Sequence, residues 1–136
     1  MRYFQLKPDN DPPKISYFKP FKAVVVIEEK VELGFQNKIS KWLVESGCLY
    51  MMAWGKECSS WDDSVDWATI DYWEGKKVPD SKFVMTTWHD DETLEEVFWF
   101  SKSAAIHPDA EIDNSLVLHI SNENKEFEIR KKYKNA

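Results

Sequence analysis

The stretch KAVVVIEE, from Lys22 to Glu29, decides the fold prediction. Five apolar residues, Ala23 to Ile27, follow one another without a polar break, and four of them are β-branched. A strand with one face in water alternates apolar and polar residues, whereas a strand covered on both faces is continuously apolar. The stretch therefore predicts a central strand of a parallel sheet that has helices on both faces.

The chain on the carboxyl side of this strand continues with a helical pattern. Phe35, Ile39 and Leu43 recur at the spacing of one helix face, and Gly47 is a typical residue for ending a helix. The next stretch, CLYMMAW from Cys48 to Trp54, is again almost wholly apolar and predicts a second strand. Strand, helix and strand in this order indicate a parallel βαβ unit.

The same alternation continues through the middle of the chain. Ser60 is the predicted N-cap of a second helix, with Asp63 as a carboxylate in its first turn. The third predicted strand is KFVMTTW, Lys82 to Trp88, and Thr93 with Glu96 forms a capping box for a third helix.

A fourth strand, SLVLHIS, runs from Ser115 to Ser121, and the tail KEFEIRKKYKNA fits an edge strand or a final helix. We therefore predict an α/β fold, a small three-layer α/β/α sandwich. Its mainly parallel sheet has four strands in the flavodoxin-like order 2-1-3-4. Residues 1–20 hold four of the six prolines, and we interpret them as an extended lead-in segment to a single α/β domain, residues 21–136.

The bulk composition excludes several classes of protein. The chain of 136 residues has a net charge of −6, whereas a nucleic-acid-binding protein needs a basic face. It lacks an apolar run of membrane-spanning length and a signal-peptide pattern, so we expect a cytoplasmic protein that does not bind a membrane. Cys48 and Cys58 fall at opposite ends of the second predicted strand, too far apart for a disulfide.

Ligands of open α/β sheets bind beyond the carboxyl ends of the strands. The turn after the first predicted strand, EEKVELGF, lacks a glycine-rich phosphate loop, and we expect no nucleotide or other cofactor. Acidic residues at this edge precede predicted helices, where the helix dipole favours them, so we predict no metal site. The catalytic candidates are Cys58 as a nucleophile, with His89 or His119 as its base and an aspartate to orient the base. Of the two histidines, His119 lies in an apolar strand and is better interpreted as a hydrogen-bonded core residue.

The second predicted helix also indicates a binding surface. Val65, Ala68 and Tyr72 form its predicted inward stripe, so its tryptophans cannot all point inward as well. Tryptophan surrounded by charge is typical of protein-binding hot spots, and the alternative is that these indoles pack in a large core. The predicted binding residues lie on this helix and around the carboxyl end of the third predicted strand: Trp61, Asp62, Asp63, Asp66, Trp67, Trp88, His89 and Asp90.

Two blocks, MMAWGKECSSWDDSVDWA and FVMTTWHDDETLEEVFWFSKSAAIHP, resemble an uncharacterised family of small bacterial proteins, a domain of unknown function. The resemblance implies no activity, cofactor or partner. By architecture alone, an acidic α/β domain with aspartates and tryptophan on one helix also resembles barstar-type inhibitors of basic nucleases.

Two functions are therefore expected from the sequence. The first is a non-catalytic protein-binding module, for example an inhibitor or immunity protein, that binds a basic protein through the acidic, tryptophan-rich helix. The alternative is a small hydrolase or metal-dependent enzyme with its site at the carboxyl ends of the strands. The oligomeric state does not follow from the sequence.

Overall fold

A computed structural model describes residues 1–136 and contains one sheet of five strands, all parallel. The strands are β1 (Arg2–Leu6), β2 (Phe21–Ile27), β3 (Cys48–Gly55), β4 (Met85–Trp88) and β5 (Asn114–Ile120). The helices are α1 (Leu33–Ser46), α2 (Ser60–Tyr72), α3 (Leu94–Ser103) and α4 (Glu126–Asn135). The predicted α/β class is confirmed.

The strand order β1-β5-β2-β3-β4 differs from the prediction. The four predicted strands are β2 to β5, and in their own numbering they lie in the order 4-1-2-3, so the order 2-1-3-4 is wrong. The reason is the placement of the helices, since α1 and α2 pack on one face of the sheet and α3 on the other. Right-handed crossovers on one face move the chain in one direction, and the crossover on the other face returns it.

The fifth strand, β1, lies within the segment predicted to have no regular element, and both that prediction and the count of four strands are wrong here. All four prolines of this segment come after β1 and therefore leave its hydrogen bonding intact. The strand pairs with β5 from Arg2 opposite Leu116 to Leu6 opposite Ile120. The division into a lead-in and one domain stays a prediction.

The core has two layers because β2 is buried on both faces, as its sequence predicts. Ala23, Val25 and Ile27 pack with α1 and α2 in the larger layer. Val24 and Val26 pack with α3 and α4 in the smaller layer. The tail is a helix, α4, and it covers the second layer through Ile129.

Local signals place most helix and strand ends within a few residues. The capping box of Thr93 and Glu96 is confirmed at the start of α3. Ser60 is the first residue of α2 instead of its N-cap, and its hydroxyl donates to the carbonyl of Glu57 at 2.8 Å. The third predicted strand begins at Met85 and not at Lys82, because residues 80–82 form a 3-10 turn. No helix is both long and apolar enough to cross a membrane.

Candidate functional site

The strand order reverses between β2 and β5, so the topological switch point of the sheet lies between these two strands. A crevice beyond the carboxyl ends of strands on either side of such a point is the usual ligand site of an open α/β sheet. Glu28 follows β2 at this point, and its backbone N–H donates to the carbonyl of Ile120 at 3.0 Å. A shallow cavity of about 540 Å³ opens here, lined among others by Glu28, Trp54 and Lys125.

A partly buried network of side chains extends from this crevice to His119. The Tyr3 hydroxyl and His119 Nδ1 are 2.6 Å apart, and His119 is fully buried in β5. His119 Nε2 lies 3.1 Å from Glu28 Oε1, at a distance typical of an ion pair but without the alignment of a hydrogen bond. Lys125 Nζ donates to Glu28 Oε2 at 3.1 Å. The network connects β1, β2, β5 and the start of α4, and the prediction of a hydrogen-bonded core histidine is confirmed.

The charge of Glu28 follows from the same contacts. Partial burial acts to raise the pKa of the Glu28 carboxyl, but Lys125 and His119 together outweigh it and hold the pKa below its usual value. Glu28 is therefore ionised at neutral pH and is already neutralised within the fold by Lys125. The part of Tyr3 in this network was not predicted, because Tyr3 lies in the segment predicted to be irregular.

A second network surrounds His89, one of the two catalytic candidates. His89 Nε2 lies 2.9 Å from Thr87 Oγ1, and His89 Nδ1 lies 2.9 Å from Glu92 Oε2. Hydroxyl, imidazole and carboxylate follow one another in the order found in hydroxyl-nucleophile enzymes. The imidazole is buried and packs edge-on against Phe100 with ring centroids 4.9 Å apart, so the network also fixes the turn between β4 and α3. Thr87 and His89 are two residues apart and therefore lie on the same face of an extended chain, which is the sign of their contact in the sequence.

Cys58, the other catalytic candidate, is buried at the turn between β3 and α2. Burial raises the pKa of its thiol, and the backbone N–H of His89 only partly offsets this. A nucleophilic cysteine needs the thiolate, which the raised pKa disfavours at neutral pH. Cys58 thus contacts the backbone N–H of His89 and not its imidazole, since the imidazole nitrogens bond to Thr87 and Glu92. Cys58 and Cys48 are both free thiols.

Gly55 determines how the chain passes from β3 to α2. Its φ is +107°, and a Cβ atom at this position would lie 2.2 Å from the carbonyl oxygen of Ile27. The next residue, Lys56, donates its backbone N–H to the same carbonyl at 2.8 Å. Only glycine allows this close approach of two backbones, and it positions the first turn of α2 beside the carboxyl edge of the sheet.

The tryptophans of α2 divide between the core and the surface. Trp61 is 0% exposed and packs with Val65 in the larger core layer, so it is not available as a surface residue. Trp67 is 66% exposed, as expected if the indoles cannot all point inward. Tyr72 was assigned to the inward stripe, and this is wrong, since its side chain is 53% exposed. The stripe is formed instead by Trp61, Val65 and Ala68.

Three carboxylates of α2 form a cluster. One oxygen each of Asp62, Asp63 and Asp66 lies within 4.8 Å of the others. Partial burial, and then the charges of Asp62 and Asp63, raise the pKa of Asp66. Carboxylate oxygens are ligands that Mg²⁺ and Ca²⁺ prefer. However, Asp63 is exposed, and carboxylates in the first turn of a helix also stabilise the helix by interacting with its dipole. The hydroxyl of Thr86, on β4, donates to Asp62.

The repulsion within this cluster gives a first prediction. The Asp66→Asn variant is expected to be more stable than the wild type at pH 7, by about 0.5–1 kcal/mol, because two like-charge pairs at helical spacing are removed. Since the pKa of Asp66 is raised in the folded state, its charge opposes folding above that pKa. The gain should therefore disappear as the pH falls and wild-type Asp66 takes up its proton. Urea unfolding at several pH values measures the difference, and a gain that persists at acid pH would contradict the explanation.

The remaining predicted binding residues lie near the ends of β4. Trp88 is 46% exposed on the face of β4 that also carries Thr86, next to α2. Asp90 is exposed in the following turn, while His89 between them is buried. Together with the cluster on α2 and the exposed Trp67, Trp88 forms part of one acidic and aromatic side of the molecule.

The fold and the position of its crevice define the class of protein. Two helix layers on an all-parallel sheet, with the reversal point between β2 and β5, are those of an open-sheet α/β sandwich protein. The chain belongs to the family described as Domain of unknown function (DUF7684), whose model matches residues 1–136. The resemblance to an uncharacterised domain family is thus confirmed and extends beyond the two blocks that indicate it. No curated protein and no solved structure matched the chain.

Proposed function

We propose that this protein is a non-catalytic binding module that binds a basic protein through one face of α2. This acidic face consists of Asp62, Asp63, Asp66, Trp67 and Asp71. The observation that carries the proposal is an exposed indole, Trp67, on a helix whose carboxylates have no cationic partner within the fold.

The charge of α2 is not compensated by its neighbours. The helix contains four aspartates and no lysine or arginine, and none of the nine ion pairs of the fold involves any of these aspartates. Lys38 and Lys41 line the groove between α1 and α2, but they pair with Asp11 and Glu45. A cation supplied by a partner would relieve the repulsion that the folded chain retains.

The helix dipole does not account for the whole acidic face. Asp62 and Asp63 lie in the first turn, where negative charge is favourable. Asp71 lies in the last turn, where the helix dipole makes negative charge unfavourable. Asp66 lies in the middle of the helix, where the dipole has little effect but the charges of Asp62 and Asp63 repel it. Both positions therefore lower the stability of the isolated helix, and binding to a basic partner supplies a reason for them.

Trp67 supplies the apolar part of the proposed interface. It lines the groove between α1 and α2, a cavity of about 690 Å³, and lies on the same helix as the exposed side chains of Ile70 and Tyr72. Tryptophan at the centre of an interface is among the residues whose loss weakens binding most. The surrounding negative charge would speed the encounter with a basic protein, in agreement with the net charge of −6. Inhibition of a basic enzyme, as by an immunity protein, is the form of function that we favour.

A pair of charge-reversal variants tests this proposal. The triple variant Asp62→Lys, Asp63→Lys and Asp66→Lys is expected to lose a basic protein that the wild type retains from host lysate. In the control variant, Asp109, Glu111 and Asp113 are replaced by lysine. These three residues are exposed, lie outside the ion pairs and directly precede β5, at the amino ends of the strands, whereas Asp62 and Asp63 lie in the helix that follows the carboxyl end of β3. Both variants change the net charge equally, so a difference between them reports the acidic face and not the overall charge.

Confirmation requires the retained protein in pure form. Calorimetric titration of wild type and Trp67→Ala should show binding that weakens at least about thirtyfold in the variant, since truncation of a hot-spot tryptophan costs about 2 kcal/mol or more. Binding should also weaken as the salt concentration rises. Equal binding by the two triple variants, or a partner that is acidic, would contradict the proposed function.

A further inference from the structure

The edge strand β4 carries the inference that extends the proposed function. β4 pairs with β3 only, from Tyr50 opposite Met85 to Ala53 opposite Trp88, and no strand lies on its other side. The backbone N–H of His89 donates to the carbonyl of Ala53 at 2.9 Å, which fixes which residues point toward β3.

The backbone groups on the outer side of β4 follow from this hydrogen bond. N–H and C=O groups of one residue point to the same side of a strand, and successive residues alternate. The backbone N–H and C=O groups of His89 and Thr87 therefore point toward β3. Those of Thr86 and Trp88 point outward, away from the sheet. No backbone hydrogen bond from a turn or loop reaches these two residues. They form a short template for an additional strand.

The charge beside this edge identifies the kind of segment that would fit. β4 itself carries no charged side chain, and Thr86 donates its hydroxyl to Asp62 of the acidic face. The side chain of Trp88 lies on the same face of β4 as that of Thr86 and is 46% exposed, so its indole can contact an apolar or cationic side chain of the added segment. The opposite edge strand, β1, carries the exposed Arg2, which would repel a basic segment.

We propose that the partner binds by adding an extended, positively charged segment to β4 as a sixth strand, with its cationic side chains against the acidic face. This inference rests on the proposed function and specifies how the partner is held. A second copy of this chain is a poorer occupant, because pairing two β4 edges would bring two clusters of Asp62, Asp63 and Asp66 together.

The probe is a synthetic peptide of about eight residues in which lysine alternates with threonine, a length that matches an ordinary strand. A second peptide has the same side chains but is methylated at every backbone nitrogen, so it keeps the charge and cannot donate to the edge. Fluorescence anisotropy is expected to show that methylation weakens binding at least about tenfold, which corresponds to one or two backbone hydrogen bonds.

Two variants and one direct measurement locate the peptide. Thr86→Pro removes an outward N–H and leaves the bonds to β3 in place, whereas Thr86→Val removes only the hydroxyl that contacts Asp62. Thr86→Pro should weaken binding as much as methylation does, and Thr86→Val should weaken it much less. In the wild type, hydrogen exchange should slow at the amides of Thr86 and Trp88 when the peptide is added.

The outcomes separate this inference from the proposed function. Equal binding of both peptides, abolished by the triple charge reversal on α2, would overturn strand addition and leave the acidic face as the binding site. No binding of either peptide, unchanged exchange at Thr86 and Trp88, or a dimer in sedimentation that Thr86→Pro dissociates would also overturn it. The proposed function fails separately if charge reversal on α2 leaves partner binding intact.

Discussion

Replacing Trp61 by alanine is expected to lower the free energy of unfolding by about 3–5 kcal/mol. Trp61 is fully buried and belongs to the larger core layer, where α2 packs on the sheet. Truncation removes the transfer free energy of the indole and leaves a cavity whose walls, in a layer anchored by the sheet, collapse only in part. A loss of this size is comparable with the whole stability of many domains.

Trp67→Ala is the matched control for this prediction, because the same substitution is made on the same helix. Trp67 is 66% exposed, so its loss is expected to change the free energy of unfolding by less than about 0.5 kcal/mol. Urea unfolding followed by circular dichroism measures both variants. A similar decrease in the free energy of unfolding in both variants would mean that Trp67 is as important to packing as Trp61. Trp67 would then not be available as the exposed aromatic residue of the acidic face.

Gly55→Ala is expected to destabilise the protein by about 3 kcal/mol or more. The positive φ is unfavourable for any residue with a Cβ atom, and the added methyl group would meet the Ile27 carbonyl at 2.2 Å. Relief requires β3 and β2 to separate at their carboxyl ends, where Lys56 donates to that same carbonyl. The change therefore also displaces the first turn of α2.

Gly34→Ala provides the contrasting glycine. Gly34 lies in the first turn of α1, and a Cβ atom there would have no neighbour within 4 Å. Alanine should leave the fold intact and raise the stability by about 0.4–1 kcal/mol, because it restricts the unfolded chain. Thermal unfolding of the two variants should therefore move the midpoint in opposite directions. A tolerated Gly55→Ala would show that the turn between β3 and α2 can adopt another path.

The parts of the fold that depend on local patterns could be predicted from the sequence. β2 was recognisable because five consecutive apolar residues need burial on both faces, and α3 because Thr93 and Glu96 satisfy each other's backbone N–H groups. The strand order could not be predicted, because it depends on which face of the sheet each helix covers. β1 was missed because its five residues show no continuous apolar run and precede a proline-rich stretch.

The candidate site was predictable to a similar degree. That at least one indole of α2 is exposed followed from counting how many large side chains one helix face can bury, and the exposed indole is that of Trp67. The sequence does not decide which indole is buried, because this depends on how α2 is rotated about its axis against the sheet. The spacing of Thr87 and His89 indicates that they share one face of the strand, but the contact of His89 with Glu92 could not be predicted, since it depends on the path of the turn after β4.

The pairing of β1 with β5 has a consequence for how the chain folds as it is synthesised. Arg2 to Leu6 leave the ribosome well before their partners, Leu116 to Ile120, are made. Contacts so distant in sequence slow folding because a long loop must close before they form. The βαβ units from β2 to β4 can assemble first, and the two strands at the far side join late. β1 therefore has no partner strand until β5 has been synthesised, and during that interval it is available to chaperones.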